Sequence, residues 1–222
     1  MKYILLESTV LMIAFISGLI LYKRLTLLYR IIFFQLSLAI VVNVAAYWIT
    51  ASQIAAGKDQ NTAVLYNGYL LLEFALLFAA AGVYFSTRKI TITIIVFYIL
   101  FVLGFITHVY FNGISKFMNS GMGFGGLFIV ALYLYMIYKA VIKDTSRDQR
   151  ISIIVLALGV VVYFAGNAPY IGLMYYLYDL NKELTTSLFH IITDGLSNVR
   201  YLCVVISFWI FYKQTLRTSS TA

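Results

Sequence analysis

Seven apolar stretches, each about 20 residues or more and each closed by a polar or charged break, occupy nearly all of this 222-residue chain. A bilayer's hydrocarbon core is about 30 Å thick and takes roughly 20 apolar residues per helix, so stretches of this length read as membrane spans. The spans are placed at Tyr3–Tyr22, Leu28–Thr50, Thr62–Phe85, Ile90–Phe111, Met122–Ile142, Ile151–Tyr175 and Thr186–Tyr212. They are continuously apolar rather than alternating, which is the pattern of bilayer helices and not of a barrel. The expected fold is an all-α, seven-helix transmembrane bundle forming a single domain over residues 1–222.

Composition bears this out. Hydrophobic residues make up 63% of the chain and charged residues 11%, which leaves no stretch for a separate soluble domain. Met1 and Lys2 precede the first span without a basic leader or a small-residue cleavage site, so that span reads as retained. The lone cysteine, Cys203, lies in the last span and reads as a packing residue.

Orientation follows from the sixteen basic residues. The breaks after spans one, three and five and the C-terminal tail hold Lys23, Arg24, Arg30, Arg88, Lys89, Lys139, Lys143, Arg147, Arg150, Lys213 and Arg217. The opposite ends hold only Lys2, Lys58, Lys116 and Lys182. By the positive-inside rule the N-terminus faces out and the C-terminus faces the cytoplasm, the setting of a multi-pass protein of a bacterial cytoplasmic membrane. The net charge of +8 is therefore a topology signal, and no nucleic-acid partner is implied because the basic residues are divided among short loops.

The residues that point to function are the ionisable groups left within the spans: Glu7, Glu73, His108, His190, Asp194 and Arg200. A charge at the bilayer centre costs about 2.5–3.5 kcal/mol on the insertion scale, so such groups must face the bundle interior, be paired or be neutral. At 1.5 Å per residue, Glu73 and Asp194 both fall about 12–14 Å below the outer surface, with Asn43, Asn167, Glu7 and His190 at or above that level. Helical spacing puts Tyr66, Tyr69 and Glu73 on one face of span three. It likewise aligns His190, Asp194, Ser197, Asn198 and Tyr201 on span seven, with Arg200 about a third of a turn away. Two facing polar stripes are expected, enclosing an outer-half pocket to which Tyr163 and Tyr170 add aromatic walls. Within Gly166-Asn167-Ala168-Pro169, the proline has no N–H for the carbonyl of Ala165, and a bend beside that pocket is expected. Pro169 and Arg200 read as structural and coupling positions. The run Gly121-Met122-Gly123-Phe124-Gly125-Gly126 reads as a site of close intramolecular helix packing.

Span seven invites a comparison. Asp194-Gly195-Leu196-Ser197-Asn198, an Asp four residues ahead of a polar mid-membrane residue, resembles the microbial rhodopsin pattern, in which the later position is the retinal-bearing lysine. Here that position is Asn198 and no other lysine lies near mid-membrane, so the resemblance implies a rhodopsin-like arrangement without covalent retinal; a lipid or chromophore held non-covalently remains compatible with it. Glu73 then stands where the counterion would be expected. The stretches Tyr66-Asn67-Gly68-Tyr69 through Glu73-Phe74 and Asn198-Val199-Arg200-Tyr201 are similar to those of small, uncharacterised seven-helix bacterial membrane proteins.

Catalytic alternatives fare less well. Seven-helix hydrolases of the ceramidase and progestin-receptor type hold zinc with intramembrane His and Asp, but this chain has only two histidines and lacks their paired His spacing, so no metal site is expected. No Gly-x-Ser-x-Gly nucleophile or phosphate loop is present. The expectation is a receptor-like or sensor-like protein rather than an enzyme. It would bind a small or lipid-like ligand at Glu7, Asn43, Tyr66, Tyr69, Glu73, Tyr163, Asn167, His190, Asp194 and Asn198, and signal to a separate cytoplasmic or membrane partner. The alternative is an intramembrane enzyme or proton-linked transporter working through Glu73, Asp194 and His190.

Overall fold

The computed structural model describes residues 2–57, 61–142 and 147–219; the side chains of residues 2–7, 120, 175, 182, 183, 186, 190 and 217–219 lie outside that description. Among the described residues there is no strand. The helices are α1 (Lys2–Leu21), α2 (Leu27–Ala55), α3 (Ala63–Phe85), α4 (Arg88–Asn112), α5 (Asn119–Ile142), α6 (Arg147–Leu180), α7 (Lys182–Phe189) and α8 (Gly195–Ser219). A short 3-10 turn, Tyr22–Arg24, follows α1, and a π-helical segment, His190–Asp194, joins α7 to α8.

Six of these helices are long and apolar enough to cross a membrane: Leu27–Ala55, Ala63–Phe85, Arg88–Asn112, Gly121–Ile142, Arg147–Met174 and Ser187–Leu216. The chain is thus a multi-pass membrane protein embedded in a lipid bilayer. The expected first span is helical, as α1, and packs on α2 and α8.

Two helices outrun their expected limits. α6 continues to Leu180 rather than stopping near Tyr175, and α2 continues to Ala55 rather than Thr50. Both extensions carry residues such as Gln53 and Asp179 that water tolerates, so the helix persists where the apolar signal has ended.

The packing order forms a closed circuit, α1–α2–α3–α5–α6–α8, and α4 lies outside it against α3 and α5. Only 6% of the α4 span is buried, with Ile94 its one buried residue among those described, so nearly its whole circumference faces lipid. Within the circuit, the interior is filled by Tyr29, Leu36, Phe74, Tyr133, Phe164 and Phe208, all buried.

Glycines set the closest helix approaches. A Cβ on Gly159 of α6 would stand 2.6 Å from the Cys203 Cβ and 3.4 Å from the Arg200 Cα, and one on Gly166, two turns on, would stand 2.5 Å from Leu196. Because Gly159 and Gly166 share a face of α6, α8 lies directly against that face, and this contact delivers Arg200 to the interior. On α5, Gly125 leaves room for Phe74, which stacks on Phe101 with 4.5 Å between centroids. The glycine run is thus spent on contacts within the bundle.

At one end of the bundle Tyr29 of α2, Ser152 of α6 and Ser207 of α8 lock three helices together. The Tyr29 hydroxyl lies 2.5 Å from Ser152 Oγ, and each serine hydroxyl donates to the other's carbonyl at 2.8 Å. At the opposite end Asn67 of α3 clamps the α4–α5 loop. Its Nδ2 donates to the carbonyls of Ile114 and Lys116, and its Oδ1 accepts from the Met118 N–H.

Candidate functional site

The buried charge sits near the middle of the bundle. Arg200 Nη1 of α8 donates to Glu73 Oε1 of α3 at 2.6 Å, with the two side chains 3% and 2% exposed. Gln35 Nε2 of α2 donates to the same carboxylate oxygen at 3.2 Å and to the Tyr69 hydroxyl at 3.1 Å. One face of the guanidinium lies over Tyr163, 4.8 Å from the ring centroid, with Phe164 at 5.5 Å. Four helices therefore supply one polar node. The aromatic faces flank the guanidinium and attract the cation through the ring quadrupole.

The expected geometry is corrected in three respects. First, the partner that reaches Glu73 is Arg200, placed off the polar stripe by regular helical spacing. The π-helical segment places i→i+5 turns at His190–Asp194, so residues on either side of it do not keep the register of one α-helix. Span seven is continuously helical over Ser187–Leu216, with the π segment lying inside it between α7 and α8. Second, the node includes Gln35, which no reading of the two stripes joins to Glu73. Third, the cleft beside Pro169 is lined by other residues than the expected ligand set.

The remaining sites fall as follows. Asn167 is fully buried and accepts a 3.0 Å hydrogen bond from Thr193 Oγ1 of the π segment. Asp194 and Ser197 are buried, and Tyr66, Tyr69, Tyr163, Asn43 and Asn198 are half-buried. Arg200 Nη2, Asn167 Nδ2 and Asn198 Oδ1 are inaccessible to solvent and have no hydrogen-bond partner among the described residues. The side chains of Glu7 and His190, and Lys143 of the basic loop, lie outside the described residues. His108 is half-buried and bonds through Nε2 with the Lys116 carbonyl at 3.0 Å. Among the described residues no three His, Cys, Asp or Glu side chains converge as metal ligands.

The cleft occupies about 800 Å³ between α4, α5 and α6, at the end of the bundle where Asn67 holds the loop. Its rim is polar, with His108, Asn112, Lys116 and Asn119, and its walls are Gly123, Phe124 and Leu127 of α5 and Ala168, Pro169 and Gly172 of α6. α6 stays helical through Pro169. Asn119 is 7% exposed, and its Oδ1 has no partner among the described residues. A smaller cleft of about 310 Å³ at the other end lies between Thr26, Tyr84, Gln149 and Phe211.

Asn119 escaped the sequence reading, and Gln35 was legible only as a candidate for the cytoplasmic half of a proton path, because an uncharged amide in or beside an apolar run carries no sign of what it touches. The excess of amides and hydroxyls over what lipid tolerates was the available signal.

Fold and site together define a class, the multi-pass helical membrane proteins with a buried ion-paired centre. Comparison with family models, curated proteins and solved structures finds no match to this chain.

Proposed function

We propose that this protein is a membrane-embedded sensor in which a small or lipid-like ligand engages the Glu73–Arg200 node and the resulting helix shift is passed to a separate partner. In this reading α1 completes seven spans, the N-terminus faces out, and the basic ends face the cytoplasm of a bacterial cell. The observation that carries the proposal is the uneven satisfaction of Arg200: Nη1 holds Glu73 at 2.6 Å while Nη2, equally buried, has no acceptor among the described residues. A purely structural ion pair keeps every donor satisfied, because an unmet buried polar group costs about 1–3 kcal/mol. An acceptor supplied by a ligand, such as a carbonyl, carboxylate or phosphate oxygen, would complete it.

The node is also well placed to transmit. It joins α2, α3, α6 and α8, and α8 runs from it to the Ser207–Ser152–Tyr29 lock at the basic end. The partner would read that end, where the smaller cleft and the described basic residues Lys139, Arg147 and Arg150 lie. The alternative of a proton-linked carrier is disfavoured by the guanidinium at 2.6 Å, because the carboxylate such a carrier would work through is already engaged by Arg200 and Gln35.

The test is mass spectrometry and absorption spectroscopy of whatever co-purifies with the wild type and with Arg200→Gln. An acceptor-bearing molecule retained by the wild type and lost from the variant is expected. Proton flux or turnover in vesicles, abolished by Glu73→Gln or Asp194→Asn at retained thermal stability, would overturn the sensor reading in favour of transport or catalysis.

A further inference from the structure

We propose that the cleft between α4, α5 and α6 is a phospholipid site selective for headgroups that carry hydrogen-bond donors. It is separate from the polar node, and none of the node's residues lines it. Three features fix the occupant. The walls are open to the bilayer: Phe124 is 79% exposed and Leu127 55%, and α4 packs on α3 and α5 without closing over α6. The rim holds the cation Lys116, in the turn that caps the apolar walls, where an anionic phosphate would meet it. From Asn119 to Leu127 the wall descends about 12 Å, the depth of the upper acyl chain below a headgroup.

Asn119 then does the selecting. Its side chain is more than nine-tenths buried at the rim, yet its Oδ1, shut from solvent, accepts no hydrogen bond within the described protein. A buried amide prefers a ligand that offers it both an acceptor and a donor. A phosphate oxygen can accept from Nδ2 while a headgroup ammonium or hydroxyl donates to Oδ1. The Pro169 surface serves the same end: with its ring against the cleft at Ala168-Pro169, the wall stays apolar where the first acyl carbons would lie.

The experiment uses the purified full chain and native mass spectrometry with phosphatidylethanolamine and phosphatidylcholine of identical acyl chains, which share a phosphate and differ in N–H donors. Phosphatidylethanolamine is expected to bind about two- to tenfold tighter, the worth of one hydrogen bond. Asn119→Ala should abolish that preference while leaving the fold intact, since its Oδ1 accepts no hydrogen bond within the described protein. Lys116→Gln should weaken both lipids alike. Gly123→Leu, which fills the wall where a Cβ meets nothing closer than the Ala168 carbonyl at 3.9 Å, should displace both. Equal retention of the two lipids by the wild type, or an unchanged preference in Asn119→Ala, overturns the proposal and leaves only unselective annular lipid. Glycerophosphoethanolamine binding as tightly as the intact lipid would overturn the acyl-chain half of it.

Discussion

Replacing Arg200 by Met tests whether the ion pair is a coupled unit or two independent residues. Both side chains are almost wholly buried, at 3% and 2% exposure, and the carboxylate has no other cation among its described hydrogen-bond partners. Removing one member of a buried pair leaves an uncompensated charge and costs about 3–5 kcal/mol. For a chain of this size about 2–4 °C of midpoint accompanies each kcal/mol, so Arg200→Met should lower the thermal midpoint by about 6–20 °C. Glu73→Leu should cost a similar amount, because a guanidinium cannot shed its proton to escape. The double variant Glu73→Leu/Arg200→Met removes both charges. Its remaining penalty is the loss of an acceptor for Gln35, about 1–3 kcal/mol, so it should be more stable than either single variant. The coupling energy from the cycle should then be at least about 3 kcal/mol. Thermal or denaturant unfolding in lipid nanodiscs, with intrinsic fluorescence as the readout, measures all four corners. Additive single effects, or an Arg200→Met protein as stable as the wild type, would refute the reasoning.

Two further predictions concern packing. Gly159→Val should destabilise by about 1–3 kcal/mol, since its Cβ meets Cys203 and the Arg200 backbone, whereas Gly82→Ala, where a Cβ meets nothing within 4 Å, should be neutral or stabilising by up to about 1 kcal/mol; paired thermal midpoints check both. Asn67→Leu removes three hydrogen bonds to the α4–α5 loop, and hydrogen exchange should rise at the Met118 amide while the Ser152–Ser207 end stays protected.

The spans were legible because a run of apolar residues as long as the bilayer is thick has few other uses. What the run does not encode is which helix stands where. α4, expected as an ordinary span from Ile90 to Phe111, lies outside the circuit, and its apolar run carries nothing that distinguishes a peripheral span from an interior one. Glu73 and Arg200 were both singled out, and the length of the arginine side chain made a reach towards a carboxylate legible; which carboxylate it meets was not, because a helical projection locates Cβ atoms and an arginine acts several ångströms beyond its own. The π segment left no mark at all: His190-Ile191-Ile192-Thr193-Asp194 would serve equally well as regular helix.

The peripheral placement of α4 has a mechanical consequence. Its aromatic contact with the circuit is a seam of stacked rings, Phe97 on Phe128 with centroids 3.6 Å apart, together with Phe101 on Phe74. Hydrocarbon tails are as apolar as those rings, so prising the seam open exchanges one greasy surface for another at small net cost. The gap beside Pro169 is accordingly expected to change width with the thickness and lateral tension of the surrounding membrane, which distance measurements between labels on α4 and α6 in bilayers of different thickness would read.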